Sequence, residues 1–294
     1  MGNKPKAQET TPVTLTYVAP DGVHLRADGW GRSTDVPVIL LHGGGQTRHA
    51  WGDTARRLGE NNWYAVNLDL RGHGDSEWSP DGHYGLGVLA ADVAAIVDEL
   101  GRPPVLVGAS MGGMTALYAL GRMNPEMARS LVLVDVVPRM EGSGVKRIVT
   151  FMQSHPNGFG SLEEAADAIA EYRQQRSRPS DLSGLKKNLR QREDGRYYWH
   201  WDPRLLQPRD PNALKDYMGL FAAAKAIRVP TLLVRGKQSD VVGEQGVKEF
   251  LDLVPHAEFV DVANAGHMVA GDNNDTFTQA ILDFLARHFH ETVR

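Results

Sequence analysis

The residues best equipped for chemistry in this 294-residue chain lie in Gly108-Ala109-Ser110-Met111-Gly112, where the apolar run Val105-Leu106-Val107 enters a Gly-x-Ser-x-Gly turn. Ser110 is therefore a candidate nucleophile. A serine on a sharp strand-to-helix turn has a strained backbone, and side chains at 108 or 112 would collide with the adjoining strand or helix, so glycines are needed there. The same turn aims the backbone N–H of Met111, at a helix N-terminus, towards an oxyanion forming beside Ser110. The chain contains no cysteine, which excludes a thiol nucleophile, disulfides and thiolate metal sites and fits a reducing compartment.

The flanks of Ser110 extend the pattern. Pro103-Pro104 precede the apolar run, and Thr115-Ala116-Leu117-Tyr118-Ala119-Leu120 follow it as a helix. With strand, turn and helix in sequence, the chain resembles the α/β-hydrolase superfamily. That resemblance implies a second oxyanion donor after the strand preceding the first helix, where His42-Gly43-Gly44-Gly45-Gln46 stands; the donor is then the Gly44 N–H, with Gln46 in the same pocket and His42 structural. It also implies the order Ser110, Asp240, His267, each immediately after an expected strand. His267 would take the serine proton, and Asp240 would hold its tautomer and stabilise the imidazolium. Asp135, at the end of the preceding strand, is the competitor for the acid, because some members carry it there; the run Gly236-Lys237-Gln238-Ser239-Asp240 resembles the commoner arrangement and favours Asp240.

The elements that must position these residues are legible as apolar runs. Val13 to Tyr17 and Val23 to Trp30 alternate like two antiparallel strands around Pro20-Asp21-Gly22. Val36 to Leu41, Trp63 to Leu70, Ala128 to Val137, Val229 to Gly236 and Glu258 to Val262 read as further strands, mostly continuous runs suited to burial on both faces of a parallel sheet. Helices are expected over His49 to Glu60, Tyr84 to Leu100, Gln245 to Val254 and Thr276 to His290. The turn Asp69 to Ser76, with His73 and Asp75, is read as structural rather than as a metal site.

From Arg139 to about Ala226 no buried strand is expected, while Val145 to Met152, Leu162 to Arg176, Asp181 to Gln191 and Asn212 to Ala224 look helical. The expected architecture is thus a mostly parallel eight-stranded α/β-hydrolase sheet flanked by helices, with a helical cap after the sixth strand. Its divisions are a loose tail over 1–12, a core over 13–138 and 227–294, and a cap over 139–226. The cap concentrates aromatic and methionine residues, so an apolar underside facing substrate is expected, with Met152, Trp199, Tyr217 and Met218 as candidates beside Gln46.

The net charge of −4 with interspersed charges argues against nucleic acid or an anionic membrane as partner, and 41% hydrophobic residues suffice for a large core. No run approaches the roughly 20 apolar residues of a membrane span. A cytoplasmic protein without metal or other cofactor is expected, with a homodimer left open. A serine at 110 argues against the superfamily members that use aspartate nucleophiles. Ester or lactone hydrolysis on a bulky apolar substrate is favoured; carbon–carbon bond hydrolysis, cofactor-free haloperoxidase or perhydrolase chemistry, and a slowly turning-over ligand receptor are the alternatives.

Overall fold

A computed structural model describes residues 11–172, 182–207, 213–263, 265–267 and 274–289. Most of the expected N-terminal tail, and the ends of the expected segments Leu162 to Arg176, Asp181 to Gln191, Asn212 to Ala224 and Thr276 to His290, lie outside the described residues.

The alternation of the first two apolar segments produces an antiparallel pair, β1 (Val13–Val18) and β2 (His24–Trp30), in the register Val13 opposite Gly29. The continuous runs become β3 (Val36–Leu41), β4 (Trp63–Leu68), β5 (Val105–Ala109), β6 (Ser130–Val134), β9 (Thr231–Gly236) and β10 (Glu258–Val262). With β1 and β2 they form an eight-stranded sheet in the order β1-β2-β4-β3-β5-β6-β9-β10, parallel from β4 onward. The chain moves from β3 to β4 on one side and then to β5 on the other. This reversal opens a crevice at the carboxyl ends of β3 and β5, where ligands of open α/β sheets bind.

Sheet burial on both faces is written into the strands residue by residue. Ile39, Leu41, Leu106, Leu131, Leu133 and Leu233 face a core completed by α2 (Leu86–Leu100), α3 (Met111–Tyr118), α6 (Ala213–Ala226) and α7 (Glu244–Leu253). Val38, Leu40, Val107, Val132, Val134 and Val234 face the opposite core, closed by Ala55 and Leu58 of α1 (Gly52–Glu60) and by Phe277, Ile281, Phe284 and Leu285 of α8 (Asn274–His288). The α8 residues recur at helical spacing and so present one apolar stripe.

The segment between β6 and β9 contains α4 (Gly142–Gln153) and α5 (Leu162–Tyr172), but it is not all helical. Its middle folds into a short antiparallel hairpin, β7 (Leu189–Gln191) with β8 (Tyr197–Trp199), where the expected helix Asp181 to Gln191 gives only the 3-10 turn Ser183–Lys187 before β7. A small separate core of Phe159, Ala165 and Leu189, with Trp199 packed on it, holds this part together. α6 instead joins the main core through Leu220, Ala223 and Ala224, so the part of the segment with its own core ends before α6.

Candidate active site

Ser110 sits between β5 and α3 with φ +47°, a left-handed conformation costly for a side-chain-bearing residue and concentrated at functional sites. The turn is possible because its neighbours lack side chains: a Cβ on Gly108 would lie 2.5 Å from the Gly112 backbone, and one on Gly112 would lie 2.4 Å from the Leu41 carbonyl oxygen. Strand β3, the turn and α3 are thereby drawn together, and the Gly112 N–H donates to the His42 carbonyl at 3.1 Å. The hydroxyl of Ser110 and the N–H groups of Gly44 and Met111 have no hydrogen-bond partners among the described residues. A Cβ on Gly43 would stand 3.4 Å from Cβ of Ser110, and one on Gly44 3.8 Å from Sδ of Met111, so the glycine loop and the serine turn face one another.

His267 lies in the loop after β10. Its Nδ1–H donates to Oδ2 of Asp135 at 2.7 Å. Asp135 follows β6 with φ +50° and is 1% exposed. Its carboxylate is otherwise satisfied by the Ser239 hydroxyl, donating to Oδ2 at 2.7 Å, and the Gly236 N–H, donating to Oδ1 at 3.2 Å. The loop reaches this point because it folds across the end of β9, where a Cβ on Gly236 would lie 2.6 Å from the Ala265 and Gly266 carbonyls.

Asp240 does not occupy the place expected of it. Its carboxylate pairs with Arg147 of α4 at 2.7 Å and is 37% exposed, while the Nδ1 of His267 is taken by Asp135. The residue of the β9 loop that reaches the carboxylate paired with the histidine is Ser239, two strands' ends having converged on Asp135. Ser110, Asp135 and His267 thus follow β5, β6 and β10 at the same carboxyl edge of the sheet, with Ser110 N–H bonded to the Val134 carbonyl at 3.2 Å.

Three buried histidines brace the glycine loop. His42 Nδ1–H donates to the Gly43 carbonyl at 2.8 Å and its Nε2 accepts the Leu70 N–H at 3.0 Å; burial holds its pKa down at about 4. His73 Nε2 accepts the Gly45 N–H at 3.1 Å and its Nδ1–H donates to the Arg71 carbonyl at 3.1 Å, burial again lowering its pKa, to about 3. His200, from the loop after β8, accepts the Gly74 N–H on Nδ1 at 2.7 Å and donates from Nε2–H to the Gly45 carbonyl at 3.4 Å; burial pushes its pKa well down. All three are neutral backbone braces at pH 7. Gln46 completes the brace, its Oε1 accepting the Gly43 N–H at 3.0 Å.

A cavity of about 270 Å³ opens beside Gly44 and Gly45, walled by Ile148, Phe151, Met152 and Trp201. Of the expected substrate-binding residues, Gln46 and Met152 line it. Trp199 lies one ring further out, stacked on Trp201 with centroids 4.7 Å apart. Tyr217 packs against the main core and Met218 is 60% exposed, so neither lines this cavity: both belong to α6, whose buried stripe runs through residues 220, 223 and 224. Sequence reasoning missed Trp201 and His200; both stand in the run Tyr197-Tyr198-Trp199-His200-Trp201, in which nothing ranks one residue above its neighbours.

The family model described as Alpha/beta hydrolase family matches residues 38–280. Among curated proteins, the chain is 32% identical over 250 residues to Esterase Rv0045c of Mycobacterium tuberculosis, covering 83% of this chain and 80% of that protein. It is 30% identical over 265 residues to N-formylmaleamate deformylase of Pseudomonas putida, covering 89% and 91% respectively. A crystal structure of an alpha/beta hydrolase from Novosphingobium aromaticivorans superimposes with a TM-score of 0.78 at 25% identity, covering 94% of this chain and 98% of that chain.

Proposed function

The chain belongs to the alpha/beta hydrolase family, and from that premise we propose that it is a serine hydrolase cleaving a carboxylic ester or lactone with a bulky apolar group, through Ser110, His267 and Asp135. The observation that carries the reading is the 2.7 Å bond from His267 to a carboxylate buried beside the strained Ser110 turn. A buried anion on Nδ1 leaves Nε2 of the neutral imidazole as the basic nitrogen, which is the state a general base needs.

In this mechanism the Ser110 hydroxyl loses its proton to Nε2 of His267 as Oγ attacks the ester carbonyl. The oxyanion is received by the N–H groups of Gly44 and Met111, both without other partners among the described residues. Asp135 stabilises the imidazolium, which then protonates the leaving alcohol, and a water molecule releases the acid from Ser110 by the same steps. The braced loop matters here, since donors that need not reorganise are worth most. Ester cleavage is supported by the relative named as an esterase, and the apolar group by the walls of the 270 Å³ cavity beside Gly44.

The test is a panel of p-nitrophenyl esters, lactones and a ring-cleavage dienoate on the wild type and on Ser110→Ala. Turnover of apolar esters or lactones better than acetate, lost by several orders of magnitude in Ser110→Ala at unchanged Tm, is expected. Wild-type turnover retained by the variant, or turnover of the dienoate alone, overturns the assignment.

A further inference from the structure

A second cavity of about 260 Å³ lies on the far side of the wall that bounds the first, lined among others by Pro156, Tyr198, Trp199 and Leu206. Met152 and Trp201 line both cavities. The two partition residues differ in kind. Trp201 is 4% exposed, stacked on Trp199 and held edge-on against His200 at 5.3 Å, so its ring is fixed between neighbours. Met152, near the end of α4, is half-buried and unbranched, with three rotatable bonds beyond Cα. Its Cε and Sδ rest 3.1 and 3.4 Å from where a Cβ on Gly45 would stand, so the thioether lies directly over the glycine loop.

We propose that Met152 is a specificity-determining residue dividing a two-chamber site, and that the second chamber takes the distal part of a linear acyl chain. The inference rests on the ester reading above. The carbonyl end of the substrate is held at Gly44, the chain fills the first chamber, and it passes the partition where the thioether swings aside. An opening one side chain wide admits a polymethylene chain and excludes a ring. On the far side Arg192 lies 3.9 Å over the Tyr198 ring, and the chamber offers the tail Trp199, Pro156, Pro203 and Leu206 beside polar groups that include His155 and Gln207.

The experiment measures kcat/KM on p-nitrophenyl butyrate and dodecanoate, below the critical micelle concentration, for wild type, Met152→Ala and the double variant Met152→Ala/Leu206→Trp. Each methylene removed from water is worth about fourfold, and ordering the chain consumes much of that gain. Met152→Ala is expected to raise the dodecanoate-to-butyrate ratio about tenfold, and Leu206→Trp, which fills the second chamber, to return it to the wild-type value. An unchanged ratio in a folded Met152→Ala protein, or a gain that survives Leu206→Trp, overturns the proposal. Should no ester be turned over, the ester reading fails, and the partition is decided by dodecanoic acid binding followed through tryptophan fluorescence. Met152→Ala must then tighten binding and the double variant reverse it; equal affinities reject the partition.

Discussion

Replacing Asp135 by asparagine is the sharpest perturbation of the proposed chemistry, because every hydrogen bond of that carboxylate is accounted for. If the new amide nitrogen takes the place of Oδ2, it faces Nδ1 of His267 and Oγ of Ser239. His267 must then accept on Nδ1 and carry its proton on Nε2, where it can no longer deprotonate Ser110. The Ser239 hydroxyl already accepts the N–H groups of Val241 and Val242, at 3.2 and 3.1 Å, and loses the acceptor it donates to. If the amide is flipped, its nitrogen opposes the Gly236 N–H, a donor against a donor at 3.2 Å. Either orientation strands a buried donor, at about 1–3 kcal/mol of stability. The first also imposes the wrong tautomer, which costs about four orders of magnitude in turnover in an unrelated serine protease. Asp240→Asn loses only a half-exposed pair with Arg147, worth about 0–1 kcal/mol. Steady-state hydrolysis of the best ester and thermal melting are measured on both variants. Turnover of Asp135→Asn within tenfold of wild type, or below it only in Asp240→Asn, refutes the assignment of Asp135.

Two further outcomes follow from the histidine braces. His200→Ala should lower kcat about tenfold with KM little changed, a fraction of the 10²–10³ attributed to a whole oxyanion donor, and His200→Gln, whose amide can still donate to Gly45, should restore most of it; equal losses in both variants, or a change confined to KM, contradict a positioning role. His42 and His73 protonate at about 4 and 3 in the folded protein against an ordinary value of 6.5, so between these limits the unfolded chain binds more protons and stability falls as pH drops. The loss is at most about 1.4 kcal/mol per pH unit for each histidine, and a urea midpoint that stays flat or rises from pH 6.5 to 4.5 disproves it.

The sequence by itself determined what depends on neighbours along the chain. Burial on both faces demands uninterrupted apolar strands, so Val36 to Leu41 and Val105 to Ala109 announced a parallel sheet. The strained serine turn needs glycines two residues either side, so the turn at Ser110 was legible, and β10 ended at Val262 as read. Tertiary structure alone decided what depends on residues far apart. The strands of the hairpin at Leu189–Gln191 and Tyr197–Trp199 are three residues long, too short to show a period. Asp135 and Asp240 both follow strands, and the local run Gly236 to Asp240 favoured the second; what reverses that preference is that β6 and β9 pair so that Gly236 and Ser239 donate to the Asp135 carboxylate in a buried place, while α4 brings Arg147 to Asp240. An aspartate becomes a partner for histidine by where the packed sheet puts its neighbours, and that convergence spans 132 residues between Asp135 and His267.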